Sequence, residues 1–81
     1  MQIHFAAKAD EQLRRLPRHL QKRIVSKLEL YALQPDPLQF AEPLSGIRAY
    51  RFRVGDYRII FDVIGDVLWI LAIKRRDEAY R

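Results

Sequence analysis

Arg51, Arg53 and Arg58 are spaced so that a single turn brings them together. If Gly55-Asp56 is a two-residue hairpin loop, Val54 faces Tyr57, Arg53 faces Arg58 and Arg51 faces Ile60. Directly opposed residues share a sheet face, and like charges set opposite each other destabilise the pair. Asp62 is the nearest carboxylate of that face, one acid against three guanidinium groups. The ordinary reading of such a face is a solvated, charged surface, as in half-exposed antiparallel sheets. The other reading is that the matching anion comes from outside. The same face is expected to carry Ile60, Trp69, Leu71, Ile73 and Arg75, so basic groups sit beside apolar walls. Backbone phosphate with an unstacked base suits that mixture.

The closing stretch Lys74-Arg75-Arg76-Asp77-Glu78-Ala79-Tyr80-Arg81 adds cations and a phenol near the same place. Positive charge favours the ionised form of a phenol, so Tyr80 folded over the arginines can serve as a proton acceptor. Alternatively the stretch is a solvated basic tail. His4 and His19 stand apart from the arginines and are read as surface or edge residues. Metal-ligand spacing, a phosphate-cradling glycine loop and a nucleophile elbow are all missing from the sequence, so neither metal nor cofactor is expected.

Charge and composition agree with an anionic partner. Lys plus Arg is 15 against 10 Asp plus Glu, a net charge of +5. Eleven of the cations are Arg, which grips phosphate with a bidentate fork. The chain of 81 residues is one domain, spanning 1–81, able to build one two-layer core. It has no cysteine, which removes disulfides and thiolate metal sites and fits a reducing cytosol. Its apolar runs are too short to span a membrane, and Met1–Phe5 does not read as a signal peptide. A cytoplasmic protein without membrane association is expected.

The elements that position these groups follow from periodicity. Residues 2–5 form a short first strand. Ala6, Ala9, Leu13 and Leu16 follow helical spacing, and Pro17 breaks the helix and starts a second. That second helix runs from Arg18 to Leu33 with Leu20, Ile24, Leu28 and Tyr31 inward and Val25 beside them. Gln34-Pro35-Asp36-Pro37 stops it. From Ile47 the period becomes two, with Gly55-Asp56 and Gly65-Asp66 as hairpin turns. Tyr50, Phe52, Val54, Tyr57, Ile59, Phe61, Val63, Leu68, Ile70 and Ala72 then face the helices. The expected fold is α+β: a helical hairpin on one face of a small, largely antiparallel sheet, in the order β-α-α-β-β-β.

The stretch "LSGIRAYRFRVGDYRIIFDVIGDVLWILAIKRRDEAYR", preceded by "LRRLPRHLQKRI", resembles the RelE/ParE toxin superfamily of toxin–antitoxin systems. The "YRxRxGDYRxxF" segment and the basic "RxxxY" ending carry the likeness. The resemblance implies the fold derived above. In its RelE-like branch it implies a ribosome-dependent, metal-independent endoribonuclease that cuts mRNA through attack of the ribose 2′-hydroxyl. Carried over, catalytic roles fall on Arg51, Arg53, Arg58, Arg76 and Tyr80, and RNA contacts on Lys74, Arg75, Trp69 and Arg48. The implied partners are a cognate antitoxin, the ribosome and mRNA, with operator DNA reached only through the antitoxin complex. Many nuclease members place a histidine or glutamate near the end of the last strand, where this chain has Lys74-Arg75. The ParE-like branch, a gyrase inhibitor without nuclease activity, and an inactive antitoxin-binding module are the alternatives.

Overall fold

The computed structural model describes residues 1–76. β1 (Gln2–Phe5) leads into α1 (Ala7–Arg14) and α2 (Arg18–Ala32), and a 3₁₀ turn at Pro37–Phe40 follows. β2 (Glu42–Pro43), β3 (Tyr50–Val54), β4 (Tyr57–Ile64) and β5 (Val67–Arg75) complete the order. The strands form one sheet in the order β1-β5-β4-β3-β2, with β1 parallel to β5 and the other pairs antiparallel. Two helices thus cover one sheet face, as the sequence predicts. β2 and the 3₁₀ turn are additions that periodicity does not reveal.

Local chemistry explains the helices. α1 places Asp10 and Glu11 one turn before Arg14 and Arg15, and both pairs close, at 2.9 Å and 2.6 Å. Such exposed pairs add only about 0.3–0.5 kcal/mol each. Pro17 ends α1 and opens α2, its carbonyl accepting from the Leu20 and Gln21 amides. The Gln21 side chain turns back to donate to the Leu16 carbonyl at 2.8 Å, which satisfies a group that α1 leaves open. α2 buries Ile24, Leu28 and Ala32, each one turn after the last. These pack on Phe52, Val54, Ile59, Phe61, Leu68 and Ile70 to form the core.

Both hairpins turn where Gly-Asp predicts, with Val54 opposite Tyr57 and Ile64 opposite Val67. Gly55 takes φ +59°, a conformation that side chains resist. A Cβ there would stand 3.2 Å from the mobile end of the Arg23 side chain, so it is the turn conformation that calls for glycine.

One irregularity rearranges the last strand. Phe61 pairs with Ile70, but Ile60 pairs with Ala72, so Leu71 is an extra residue, a β-bulge. Before it, the alternation is as expected. After it, every side chain changes face. Ile73 opposes Ile59 and joins the core, Arg75 opposes Tyr57 on the helix side, and Lys74 opposes Arg58. The expectation that Ile73 and Arg75 line the arginine face is therefore corrected, as is the assignment of Ala72 to the core face. Beyond Phe5, where β1 has ended, the Ile73 amide donates to Gln12 Oε1 of α1 at 2.7 Å.

Candidate functional site

The sheet face away from the helices is organised in rows. At the β3–β4 turn end, Arg53, Arg58 and Lys74 stand side by side on β3, β4 and β5. The next row is Glu42, Arg51, Ile60 and Ala72. Beyond it come Asp62, Trp69 and His4. The first row is a strip of three cations, and the bulge is what puts Lys74 in it.

Arg76 reaches the same end of the sheet. Its amide donates to the Asp56 carbonyl at 2.7 Å, which draws the end of β5 back to the hairpin turn. Arg53, Gly55, Asp56, Tyr57, Arg58 and Arg76 then line a shallow hollow of ≈ 50 Å³. Arg58 lies deepest, 2% exposed, while Arg53 is open to solvent. The Arg58 guanidinium places positive charge at the floor of the hollow. Charge placed in a drier setting acts more strongly on an incoming anion than charge in water.

The arginines of β3 have an internal acid that the sequence reading missed. Arg51 donates to Glu42 Oε2 from Nη2 at 2.7 Å and from Nε at 3.2 Å. Arg53 Nε lies 3.9 Å from Glu42 Oε1. The expectation of an arginine cluster lacking matching anions is thus corrected at Arg51, and partly at Arg53. The two-residue strand β2 is too short to show a period, and Glu42 is separated from β3 by a loop, so nothing local marks the pairing. The hydrogen bond from Arg51, its charge and then the charge of Arg53 hold the Glu42 carboxyl below its ordinary value. Such a carboxylate is a weak base and serves as a counter-ion.

This coupling has a measurable consequence. A carboxyl with a depressed folded pKa contributes stability above its unfolded value and loses it as pH falls through the folded one. Glu42→Gln should therefore flatten the fall in thermal midpoint as pH drops from neutral through and below the ordinary carboxylate range, while other carboxyls keep their share. An unchanged acid limb would show that the pair does not couple to folding.

The remaining predicted residues are dispersed. Arg75 is exposed on the helix side, where it lines a cleft with Leu20, Arg23, Tyr57 and Asp56. Arg48 is exposed in the loop between β2 and β3, outside the ladder. Trp69 is on the open face but two rows from the cations, edge-on to His4 with ring centroids 5.1 Å apart. Tyr80 lies outside the described residues. Among the described residues, His, Cys, Asp and Glu make no group of three able to hold a metal ion. Likewise, no helix among them is long and apolar enough to cross a membrane.

A helical pair on a five-stranded sheet with a basic end defines a RelE/ParE-type domain, and comparison with known proteins agrees. The family model for the ParE toxin of the type II toxin–antitoxin system parDE matches residues 3–80. The chain belongs to that family and is a type II toxin of the RelE/ParE superfamily. Among solved structures it is similar to the toxin–antitoxin complex RelBE2 from Mycobacterium tuberculosis, with TM-score 0.76 and 23% identity over 93% of this chain and 90% of that one. The archaeal RelE–RelB complex from Pyrococcus horikoshii gives TM-score 0.72 at 27% identity, covering 93% of each chain. The chromosomal ParDE system from P. aeruginosa gives TM-score 0.71 at 21% identity, covering 93% of this chain and 95% of that one. Among curated proteins no match emerges.

Proposed function

We propose that this toxin is an mRNA endoribonuclease acting on the ribosome, held inactive by a cognate antitoxin in the cytoplasm. The observation that carries the reading is the strip Arg53, Arg58 and Lys74, joined by Arg76 at the hollow. Four cations gathered at one end of the sheet suit a phosphate whose charge grows in the transition state. The 2′-oxygen attacks the adjacent phosphorus, the bond to the 5′-oxygen breaks, and a cyclic phosphate remains. Arg58 and Arg76 clamp the phosphate, while Arg53 and Lys74 stabilise the developing charge. Arg51, tied to Glu42, holds the edge of the site. Tyr80 in its ionised form accepts the 2′-hydroxyl proton, and the departing 5′-oxygen takes a proton from water. Its charge before that is met by the cations, as the RelE-like resemblance implies for a metal-free reaction. Operator DNA is reached only through the antitoxin complex.

The match to the ParE model favours a second reading, inhibition of DNA gyrase through the same fold. Purified toxin added to a reconstituted translation system separates the two. Cuts within ribosome-bound codons, mapped by primer extension, are the expected result. Intact mRNA together with arrested supercoiling by gyrase would establish the second reading instead. Activity in neither assay would leave an inactive antitoxin-binding module.

A further inference from the structure

We propose that Trp69, His4 and Asp62 form a nucleobase subsite on the open sheet face, one that favours a base carrying an exocyclic amine. The inference deepens the ribonuclease reading and rests on it. Three observations support it. β1 pairs in parallel with β5 so that His4 stands beside Trp69, and Asp62 stands beside Trp69 on β4. The His4 and Trp69 rings meet at 66°, and His4 is exposed on the edge strand while Trp69 is half-buried. Asp62 is half-buried as well, with Oδ1 accepting from the Val63 amide at 2.8 Å.

The row lies four residues from the cation strip along β4, about 13 Å at the usual rise of a strand. A single strand whose phosphate sits at Arg58 therefore passes over this row if it follows the sheet. The chemistry of the row differs from that of the strip. A carboxylate repels phosphate, so the backbone is held at the basic end and a base is presented here. Aromatic rings stack any base. A carboxylate adds discrimination: it accepts from the amine of cytosine, as acidic side chains do in nucleic-acid recognition. Uracil offers a carbonyl at the same position, and two acceptors repel. Leu71, displaced by the bulge and 38% exposed, sits two residues beyond Trp69 on the same strand.

Trp69 is the single tryptophan of the chain, so intrinsic fluorescence reports this subsite directly. The full toxin is titrated at low salt with short 2′-O-methyl oligonucleotides, which lack the nucleophile and cannot be cut. Binding is followed in parallel by anisotropy of a label on the strand. Cytidine-rich strands are expected to quench Trp69 and to bind about 5-fold or more tightly than uridine-rich ones. Asp62→Ala should erase that preference, weakening cytidine-rich strands and tightening uridine-rich ones until the two bind alike. His4→Ala should weaken both strands alike, with the preference kept. Binding seen by anisotropy with unchanged Trp69 fluorescence would overturn the subsite, as would the absence of binding. Trp69 quenching in a protein that leaves ribosomal mRNA intact would sink the nuclease reading and leave the subsite standing.

Discussion

Arg58→Ala is expected to lower mRNA cleavage on the ribosome by about 10²–10³-fold, the usual cost of removing one fixed contact to transition-state charge. The size follows from position. Arg58 is the most buried cation of the strip, 2% exposed, with Arg53 and Lys74 across the ladder on either side. Arg53→Ala should cost less, because that side chain is 61% exposed and already lies near Glu42. Burial also means that alanine leaves a gap, so the variant must be separated from a folding defect. Arg58→Lys keeps charge and much of the volume but loses the planar fork. It should restore folding and recover only part of the cleavage. The check is a thermal melt of each variant beside single-turnover cleavage on programmed ribosomes. Cleavage near the parent rate in folded Arg58→Ala would remove Arg58 from the mechanism.

Phe52→Ala is expected to destabilise the fold by about 3–5 kcal/mol. Phe52 is fully buried and central to an aromatic stack. Its ring lies 4.2 Å from Phe61 at 12° and 4.5 Å from Tyr31 at 29°. It therefore joins the sheet to α2, and Tyr31 extends the stack to Phe40 at 5.2 Å. A domain with about 5–15 kcal/mol of total stability cannot lose that much without a large unfolded population. Urea titration should show a lower midpoint with an unchanged slope. Phe40→Ala, at the half-exposed end of the stack, should cost far less. Equal losses at the two positions would show that the stack is not the link between the layers.

The basic strip shows why local pattern reaches part of the way to a site. Alternation and the Gly55-Asp56 turn determine that Arg53 opposes Arg58, because a two-residue loop leaves one register. The same reasoning places Phe52, Ile59, Phe61, Leu68 and Ile70 against the helices. Strand alternation in residues 2–5 also sets the side of His4. Ile3 and Phe5 point toward the core, so His4 must point toward the open face.

By itself, then, the sequence determined the two helices, the meander, the core face as far as Ile70 and the Arg53–Arg58 pair, all from periods and turns a few residues long. Tertiary structure alone decided three things. Glu42 neutralises Arg51, because β2 adds to the sheet edge across a loop. Lys74 rather than Arg75 joins the cations, because one extra residue at Leu71 flips every later side chain. His4 meets Trp69, because β1 pairs with a strand far along the chain. Each depends on which backbone edge meets which, a long-range choice settled by packing the whole core, and no short window of residues encodes it.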